Sequence, residues 1–363
     1  MNERDTVGFL AVGQAGQNIG KILQKKGHKV FYINSSPEDM KLLDEDSNRY
    51  LISSGEGSAR KRGHIKELVA GDYERILGDI KAKMHTEFIF VIFSAGGGTG
   101  SGASPFLIDI LINETDKKIG ACVILPDRDE APISLANAYE CAFELNEIEG
   151  LCACFFIDNS TVRDMFEINN VFANHMDTLL NANKHFDDKG NIDREEIKTL
   201  LETNGAAVIG MGKKQDRENN GTDETAASPA IVTQQLVGLV KNSIYAPVDN
   251  KRSTTYIGLS TADEPDIKSL MEEFGGLGVF QGRNPSNNFI ILTGLTFPVS
   301  RLKELRDASE KSFGEVAKVK QEANGELLAP LTVSYASSLQ GKGKTGKTKN
   351  DIVSRYLKKK NGQ

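Results

Sequence analysis

Short apolar runs and helical repeats alternate through the first half of the chain. Strand-like runs occupy residues 7–12, 29–33, 87–93, 121–125 and 151–157. Between the first two runs, Ile19, Ile22 and Leu23 recur at the spacing of one helix face. Apolar runs of this length, rich in β-branched and aromatic residues, are typical of strands buried on both faces of a parallel sheet. The alternation therefore predicts an α/β fold with a Rossmann-like parallel sheet.

A longer helical pattern follows at residues 164–186. One apolar stripe recurs there at steps of three and four residues and comprises Met165, Ile168, Phe172, Met176 and Leu179. At about 1.5 Å per residue, such a helix would extend roughly 30 Å, which is enough to cross a domain. The stripe predicts a long central helix with one buried face.

The pattern changes beyond residue 205 and predicts a second, smaller α/β domain. Strand-like runs surround a helix at 228–245 and a polar segment at 213–227, which we expect to be exposed and mobile. A charged amphipathic helix and a flexible basic tail complete the chain. The predicted divisions are 1–163 for the sheet domain, 164–186 for the central helix, 187–204 for an acidic loop and helix, 205–299 for the second domain, 300–323 for the C-terminal helix and 324–363 for the tail.

In its composition, the chain resembles an ordinary soluble protein. It has 363 residues, of which 39% are hydrophobic and 26% are charged. No apolar run approaches the roughly 20 residues needed to span a bilayer, and the first residues lack a signal-peptide pattern. We therefore expect a cytoplasmic protein without a membrane partner. The four cysteines have no metal or redox spacing, and three lie in apolar runs, which predicts buried thiols.

Charge is distributed unevenly between the body and the tail. Residues 341–363 hold seven lysines and one arginine against one aspartate, or +7, so the formal total of −6 leaves −13 for residues 1–340. A basic tail on an acidic body favours an acidic partner for the tail, and a solvated tail that aids solubility is the alternative.

The tail also contains a P-loop pattern that we reject. Residues 341–348 match G-x-x-x-x-G-K-[ST], but only fifteen residues follow them. A P-loop requires a surrounding parallel sheet with an acidic strand, and alternating glycine and lysine is low-complexity sequence.

The strongest chemical signal is the glycine-rich segment at 95–102, AGGGTGSG, between the strand at 87–93 and a helix predicted from Ala103. Successive backbone N–H groups and a helix N-terminus favour an anion, and glycines remove the Cβ atoms that would block phosphate oxygens. A tight turn would need only one or two glycines, whereas this segment has five in seven residues. The segment therefore predicts a phosphate-binding loop.

A βαβ unit at the start of the chain invites comparison with dinucleotide-binding domains. The sequence GQAGQN follows its first strand, and Asn34 ends its second strand. The glycines are not spaced G-x-G-x-x-G, and an asparagine stands where a ribose-binding carboxylate is expected. These two departures disfavour a nicotinamide cofactor.

The segment GGGTGSG resembles the signature loop of tubulin and of the bacterial division protein FtsZ, and residues 5–300 can be aligned with that family's order of motifs. The resemblance implies a GTP-binding domain that uses GTP/GDP and Mg²⁺, with no metal-ligating residue assigned. The implied nucleotide-binding residues are Gly13, Gln14, Ala15, Gly16, Gln17, Asn34, Gly96, Gly97, Gly98, Thr99, Gly100, Ser101, Gly102, Glu130, Asn159, Asn169 and Asn170.

Several of these positions have individual roles in the family. Glu130 corresponds to a ribose-contacting glutamate, and either Asn169 or Asn170 to the asparagine that contacts guanine. Segment 53–63 stands where the family has a loop near the γ-phosphate, but its basic residues 60–62 depart from the usual glycine-rich pattern and receive no role. Ser134 stands where FtsZ has an arginine, which puts an arginine–phosphate contact in doubt.

The segment from Asn191 to Glu196 has two interpretations. On composition it is an acidic loop that caps a helix. Its N-x-D-x-x-E pattern after the central helix resembles the loop that α-tubulin and FtsZ insert into the nucleotide site of a neighbouring subunit. That resemblance implies that Asp193 and Glu196 activate a water, that Asn191 positions it, and that hydrolysis occurs only in the polymer.

Within the family, the sequence is most similar to the TubZ branch, which partitions plasmid and phage DNA. The GQAGQN loop, the final glutamate of N-x-D-x-x-E, the charged C-terminal helix and the basic tail support this placement. It implies head-to-tail self-assembly into a filament and coupling of residues 341–363 to a DNA-binding adaptor, so that DNA is a partner only indirectly. The alternatives are an FtsZ-like division or phage-positioning filament without DNA cargo and a monomeric nucleotide-binding enzyme.

Overall fold

The computed structural model describes residues 6–162, 164–184, 190–213, 227–284 and 286–324. Within these ranges the strands are β1 (Val7–Val12), β2 (Lys29–Asn34), β3 (Asn48–Leu51), β4 (Phe88–Ser94), β5 (Lys118–Leu125), β6 (Ala153–Asp158), β7 (Gly205–Lys213), β8 (Thr254–Thr261), β9 (Gly275–Arg283) and β10 (Asn287–Leu295). The helices are α1 (Gly13–Lys25), α2 (Pro37–Met40), α3 (Arg62–Lys83), α4 (Thr99–Glu114), α5 (Pro132–Asn146), α6 (Met165–Leu180), α7 (Arg194–Glu202), α8 (Pro229–Lys241), α9 (Ile267–Phe274) and α10 (Val299–Asn324).

All of these strands join one mixed sheet in the order β3-β2-β1-β4-β5-β6-β7-β10-β8-β9. Pairing is parallel from β3 through β7, antiparallel on both sides of β10, and parallel again between β8 and β9. The first six strands have the 3-2-1-4-5-6 order of a doubly wound sheet, whose direction of winding reverses between β1 and β4. Ligands of such sheets bind in the crevice at the carboxyl ends of the strands beside that reversal.

The strands beside the reversal are apolar except for Ser94 at the end of β4, as expected where helices cover both faces of a sheet. Every residue of β1 is buried, and so is β4 from Phe88 to Phe93. Phe90 and Phe155 pack at a centroid distance of 5.9 Å, and Phe172 of α6 extends this aromatic cluster. The predicted α/β fold is therefore confirmed. The predicted apolar stripe of the central helix lies in the core from Ile168 to Leu179, but its first residue, Met165, is exposed. All four cysteines are buried and free, as predicted.

The second half of the chain continues the same sheet. β7 pairs with β6 through Ala153, Cys154 and Phe155. The strand begins at Gly205, whose φ of +118° favours glycine, and a Cβ there would lie 2.6 Å from the carbonyl oxygen of Leu295. The division of the chain at residues 163, 205 and 299 stays a prediction.

The central helix is shorter than the 164–186 that the stripe predicts. α6 ends at Leu180, and a short 3₁₀ turn follows at Ala182–Lys184. Asn181 explains the end, because its side chain donates to the backbone carbonyl and the carboxylate of Asp177. Asparagine often forms local bonds of this kind instead of continuing a helix.

Two predicted segments fall largely outside the described residues. They are the polar segment, of which 214–226 are not described, and the basic tail with its P-loop pattern, beyond residue 324. In the part of the chain that is described, no helix is both long and apolar enough to cross a membrane.

Candidate nucleotide-binding site

The first strand and the first helix meet without an intervening loop. α1 begins at Gly13, directly after β1, so the predicted loop residues form its first turns. Gly13 has a φ of +70°, a conformation that glycine adopts without steric cost. A Cβ on Gly16 would overlap the carbonyl oxygen of Ile92 in β4. These two glycines therefore let the N-terminus of α1 lie against the end of β4.

The glycine-rich segment also enters its helix early. α4 begins at Thr99, before the predicted start at Ala103, so the second half of the segment is helical. Over the described residues, neither α1 nor α4 has a side-chain hydrogen bond at its N-cap. The first N–H groups of a helix lack intrahelical partners and carry partial positive charge. Two such N-termini beside one crevice favour a bound anion.

The glycines of the signature segment differ in how much space surrounds them. Apart from Gly97 itself and its two chain neighbours, no atom lies within 4 Å of the position that a Cβ on Gly97 would occupy. A Cβ on Gly100 would lie 2.9 Å from the carbonyl oxygen of Ser94, and one on Gly102 would lie 2.8 Å from that of Arg62. Gly100 and Gly102 therefore also allow close packing, and their part in phosphate binding stays a prediction. Gly97 is the position whose missing Cβ leaves open space.

Polar side chains connect the loops that follow β1, β2 and β4. The amide nitrogen of Asn34 donates to Gln17 Oε1 at 2.6 Å and to Asp39 Oδ2 at 3.1 Å. The hydroxyls of Ser35 and Thr99 lie 2.8 Å apart. Buried side-chain bonds of this kind fix the relative positions of the three loops. The structure thus brings together the predicted residues of the first, second and signature segments.

Segment 53–61 covers the signature loop from the side. Ala59 and Arg60 have φ values of +44° and +61°, a region that costs a residue with a Cβ about 1 kcal/mol or more. A Cβ on Gly98 would lie 2.9 Å from Arg60 Cα. Asn137 of α5 donates to the carbonyl oxygens of Arg60 at 3.0 Å and Gly96 at 3.3 Å, so one amide holds both loops.

Arg62 is a buried clamp whose role the sequence did not reveal. Its guanidinium donates to the carbonyl oxygen of Ser101 at 3.1 Å and forms ion pairs with Glu140 at 2.7 Å and Glu144 at 2.8 Å. Burial alone would lower the pKa of this guanidinium, but the nearby Glu144 and Glu140 carboxylates, together with the Cys141 thiol, outweigh burial and raise that pKa. The clamp ties the start of α3 to the first turn of α4 and to α5.

The remaining predicted nucleotide-binding residues lie on the loops after β5 and β6 and on α6. Glu130 is half-buried and accepts a hydrogen bond from the backbone N–H of Asp127 at 3.1 Å. The N–H of Asn159 donates to the carbonyl oxygen of Leu125 at 3.2 Å. In the first turns of α6, Asn169 is half-buried, whereas Asn170 is exposed and donates to a carbonyl of its own helix. Their assignments to sugar and base stay predictions.

Ser134, the residue that replaces an FtsZ arginine, faces the signature loop. It is 1% exposed, and a Cβ on Gly96 would lie 3.2 Å from its Cβ. The small side chain therefore packs under the loop.

The predicted catalytic residues lie at the opposite edge of the sheet. Arg194, at the start of α7, donates to Thr6 at 2.9 Å, and Lys198 pairs with Glu87 at 3.0 Å. Thr6 and Glu87 precede β1 and β4, whereas the glycine segments follow those strands. A strand of six residues spans about 20 Å. Within one chain, the loop before α7 and the glycine segments therefore lie at opposite ends of the strands, about one strand length apart.

Asp193 and Glu196 form a capping box at the start of α7. The Asp193 carboxylate accepts from the backbone N–H of Glu196, and the Glu196 carboxylate accepts from that of Asp193, each at 2.9 Å. Asn191 donates to the carbonyl oxygen of Asn183 at 2.9 Å. The simpler interpretation of this segment, an acidic loop that caps a helix, is thus confirmed as its local structure. Asp193 is exposed, so the cap leaves it open to solvent.

These features fit the phosphates of a nucleotide better than a metal held by protein side chains alone. The open position at Gly97 and two uncapped helix N-termini provide space and positive potential for phosphate. Across the described ranges, no group of three or more His, Cys, Asp or Glu side chains could hold a metal. Proteins usually bind Mg²⁺ through substrate phosphates and one or two carboxylates.

Comparison with known proteins supports this assignment. Residues 6–167 match the tubulin/FtsZ family, GTPase domain. Residues 6–167, a little under half of the chain, therefore form a tubulin/FtsZ-type GTPase domain. The match includes both glycine segments and the loops that carry Glu130 and Asn159. The recognition that the GGGTGSG segment suggested is therefore confirmed.

Individual relatives of this family show the same fold. TubZ of Clostridium botulinum phage c-st superposes with a TM-score of 0.74 at 22% identity, covering 86% of this chain and 100% of that one. A GTPγS-form protofilament of Bacillus thuringiensis serovar israelensis TubZ gives 0.72 at 15% identity, covering 88% and 94%. FtsZ of Porphyromonas gingivalis is 28% identical over 206 residues, which cover 54% of this chain and 43% of that protein. The chain spans less than two thirds of the length of such curated relatives.

Proposed function

We propose that this protein binds GTP with Mg²⁺ at the crevice between β1 and β4, assembles head to tail, and hydrolyses GTP at the contact between subunits. The protein would be a GTPase activated by polymerisation. The first and signature segments would hold the phosphates, and the loops with Glu130 and Asn159 would hold the sugar and base. The family match, the open glycine position and the uncapped helices support this proposal.

The observation that carries the proposal is the position of Asp193 and Glu196. They lie at the amino edge of the sheet, about 20 Å from the glycine segments of their own chain. Carboxylates so placed can act on a nucleotide only in another molecule. If the amino edge of one subunit contacts the carboxyl edge of the next, they reach that subunit's γ-phosphate. A contact between two different faces repeats without closing and produces an open filament.

In that contact, the carboxylates would orient and polarise the attacking water. A carboxylate within hydrogen-bond reach of a water can accept its proton. Mg²⁺ would neutralise charge on the phosphates when bound. Because the capping box already fixes Asp193 and Glu196 before assembly, little reordering would be needed when subunits meet.

We propose further that the filament segregates plasmid or phage DNA through a DNA-bound adaptor. The charge of residues 341–363 supports this role, because a basic segment binds acidic proteins and phosphates. An FtsZ-like filament without DNA cargo is the second candidate, which the family match supports equally.

High-speed sedimentation with GTP, GDP or ATP tests this function. We expect a pellet with GTP that disappears as GTP is consumed, and none with GDP or ATP. Removing residues 341–363 should leave that pellet unchanged and reduce the DNA recovered with it from a lysate of cells that carry the gene. The absence of a pellet with every nucleotide would contradict the filament proposal and favour a monomeric enzyme. Unchanged DNA recovery would show that the tail assignment is wrong.

A further inference from the structure

Arg301, in the first turn of α10, lies buried beneath two loops of the nucleotide site. Its side chain is 2% exposed. Nε donates to Asp158 Oδ2 at 2.7 Å, and Nη2 donates to Asp158 Oδ1 at 3.0 Å and to the carbonyl oxygen of Pro126 at 2.9 Å. A planar guanidinium can hold several acceptors in one fixed arrangement. One side chain thus joins α10 to the ends of both β5 and β6.

The two acceptors stand where the loops begin. Pro126 opens the loop that carries Glu130, and Asp158 directly precedes Asn159. The Asp158 carboxylate also accepts from the backbone N–H of Ser160 at 3.0 Å, so the turn that contains Asn159 is fixed on both sides. A shift of Arg301 would therefore move both loops together.

Packing of α10 alone does not account for an arginine at this position. A cation in the first turn of a helix opposes the helix dipole, and a buried cation is unfavourable unless it is paired. Leu302 and Leu305 of the same helix are buried and supply apolar contact with the body. The pairing of Arg301 with Asp158 is therefore explained by the loops that follow β5 and β6, which it holds, and not by the packing of α10.

We infer that Arg301 is a positioning residue that holds the sugar and base side of the nucleotide site in its binding geometry. The inference rests on the proposed guanine-nucleotide site and adds α10 to the elements that shape it. A second link from the same loop, Arg128 to Glu304 at 3.1 Å, joins side chains that are 64% and 50% exposed. Exposed pairs contribute little, so Arg301 is the link that matters.

Equilibrium titration of the full-length Arg301→Lys variant with fluorescent GTP and GDP tests this inference. Lysine keeps the charge but cannot hold Asp158 and Pro126 in the fixed geometry of a guanidinium. We expect both nucleotides to bind at least about tenfold more weakly, with the ratio of the two dissociation constants unchanged. The ratio should stay constant because Asp158 and Pro126, which accept the hydrogen bonds of Arg301, begin the loops on the sugar and base side.

A stability control separates positioning from general weakening of the fold. Phe274→Leu removes buried packing from α9, away from the site, and its thermal unfolding can be compared with that of Arg301→Lys. If Arg301→Lys loses no more affinity than Phe274→Leu, or changes the GTP-to-GDP ratio, the inference is overturned. If the wild type binds neither nucleotide, the proposed function itself is contradicted. If the wild type and Arg301→Lys bind both nucleotides equally well, only the inference about Arg301 is contradicted.

Discussion

Glu196→Gln should reduce GTP hydrolysis by at least about 100-fold while filaments still form, since loss of a general base typically costs that much or more. The glutamine keeps the hydrogen bond that Glu196 Oε2 accepts from the Asp193 N–H, because either residue completes a capping box. The helix start should therefore be preserved while the negative charge is lost. The measurements are phosphate release per sedimented subunit and the lifetime of the pellet, which should lengthen.

Glu195→Gln is the matched control for this variant. Glu195 is the neighbouring carboxylate, 79% exposed, and it approaches Lys198 at 3.4 Å without taking part in the capping box. We expect its hydrolysis rate to stay within about twofold of wild type, as is usual for an exposed ion pair. Equal rates in the Glu196→Gln variant and the wild type would show that this loop is not catalytic.

Gly97→Ala should abolish most nucleotide binding without lowering stability. No protein atom lies within 4 Å of the new Cβ, and the φ of Gly97 is outside the left-handed region, so the folded chain accepts the methyl group. In the proposed site, the methyl group would occupy space that a phosphate oxygen needs to reach the backbone N–H groups. We expect a loss of at least about tenfold in GTP affinity, with the unfolding temperature unchanged or slightly raised.

Alanine variants of two other glycines are the controls for Gly97→Ala. Gly78→Ala in α3 also meets no atom within 4 Å and should leave affinity unchanged. Gly102→Ala would place its Cβ 2.8 Å from the Arg62 carbonyl oxygen and should destabilise the fold, because neighbouring backbone must move. Normal GTP affinity in Gly97→Ala would mean that phosphate binds elsewhere.

The sequence predicted those features that local patterns determine. Apolar runs located the strands, and GGGTGSG located the crevice loop, because five glycines exceed what a turn needs. The capping box was also recognisable from D-x-x-E before an apolar residue. The starts of two helices were predicted too late. In the structure α1 begins at Gly13 and α4 at Thr99, but glycines at a helix N-terminus look the same in sequence as glycines in a loop.

The long-range parts of the site could not be predicted in this way. Arg301 and Asp158 are 143 positions apart, and Arg62 reaches Glu144 across 82 positions. No local spacing marks such pairs, and both arginines occur in charged segments that resemble solvated surface. The different surroundings of the glycines likewise depend on neighbours such as Arg62 and Ser134, which are distant in sequence and which only the folded chain brings close.

The concentration dependence of hydrolysis tests the central claim most directly. If each active site is completed by the neighbouring subunit, GTP turnover per subunit should be near zero at low protein concentration. It should then rise at the concentration where sedimentable filaments first form. A rate per subunit that stays constant across that concentration would contradict the account, because it would mean that one chain contains the whole catalytic site.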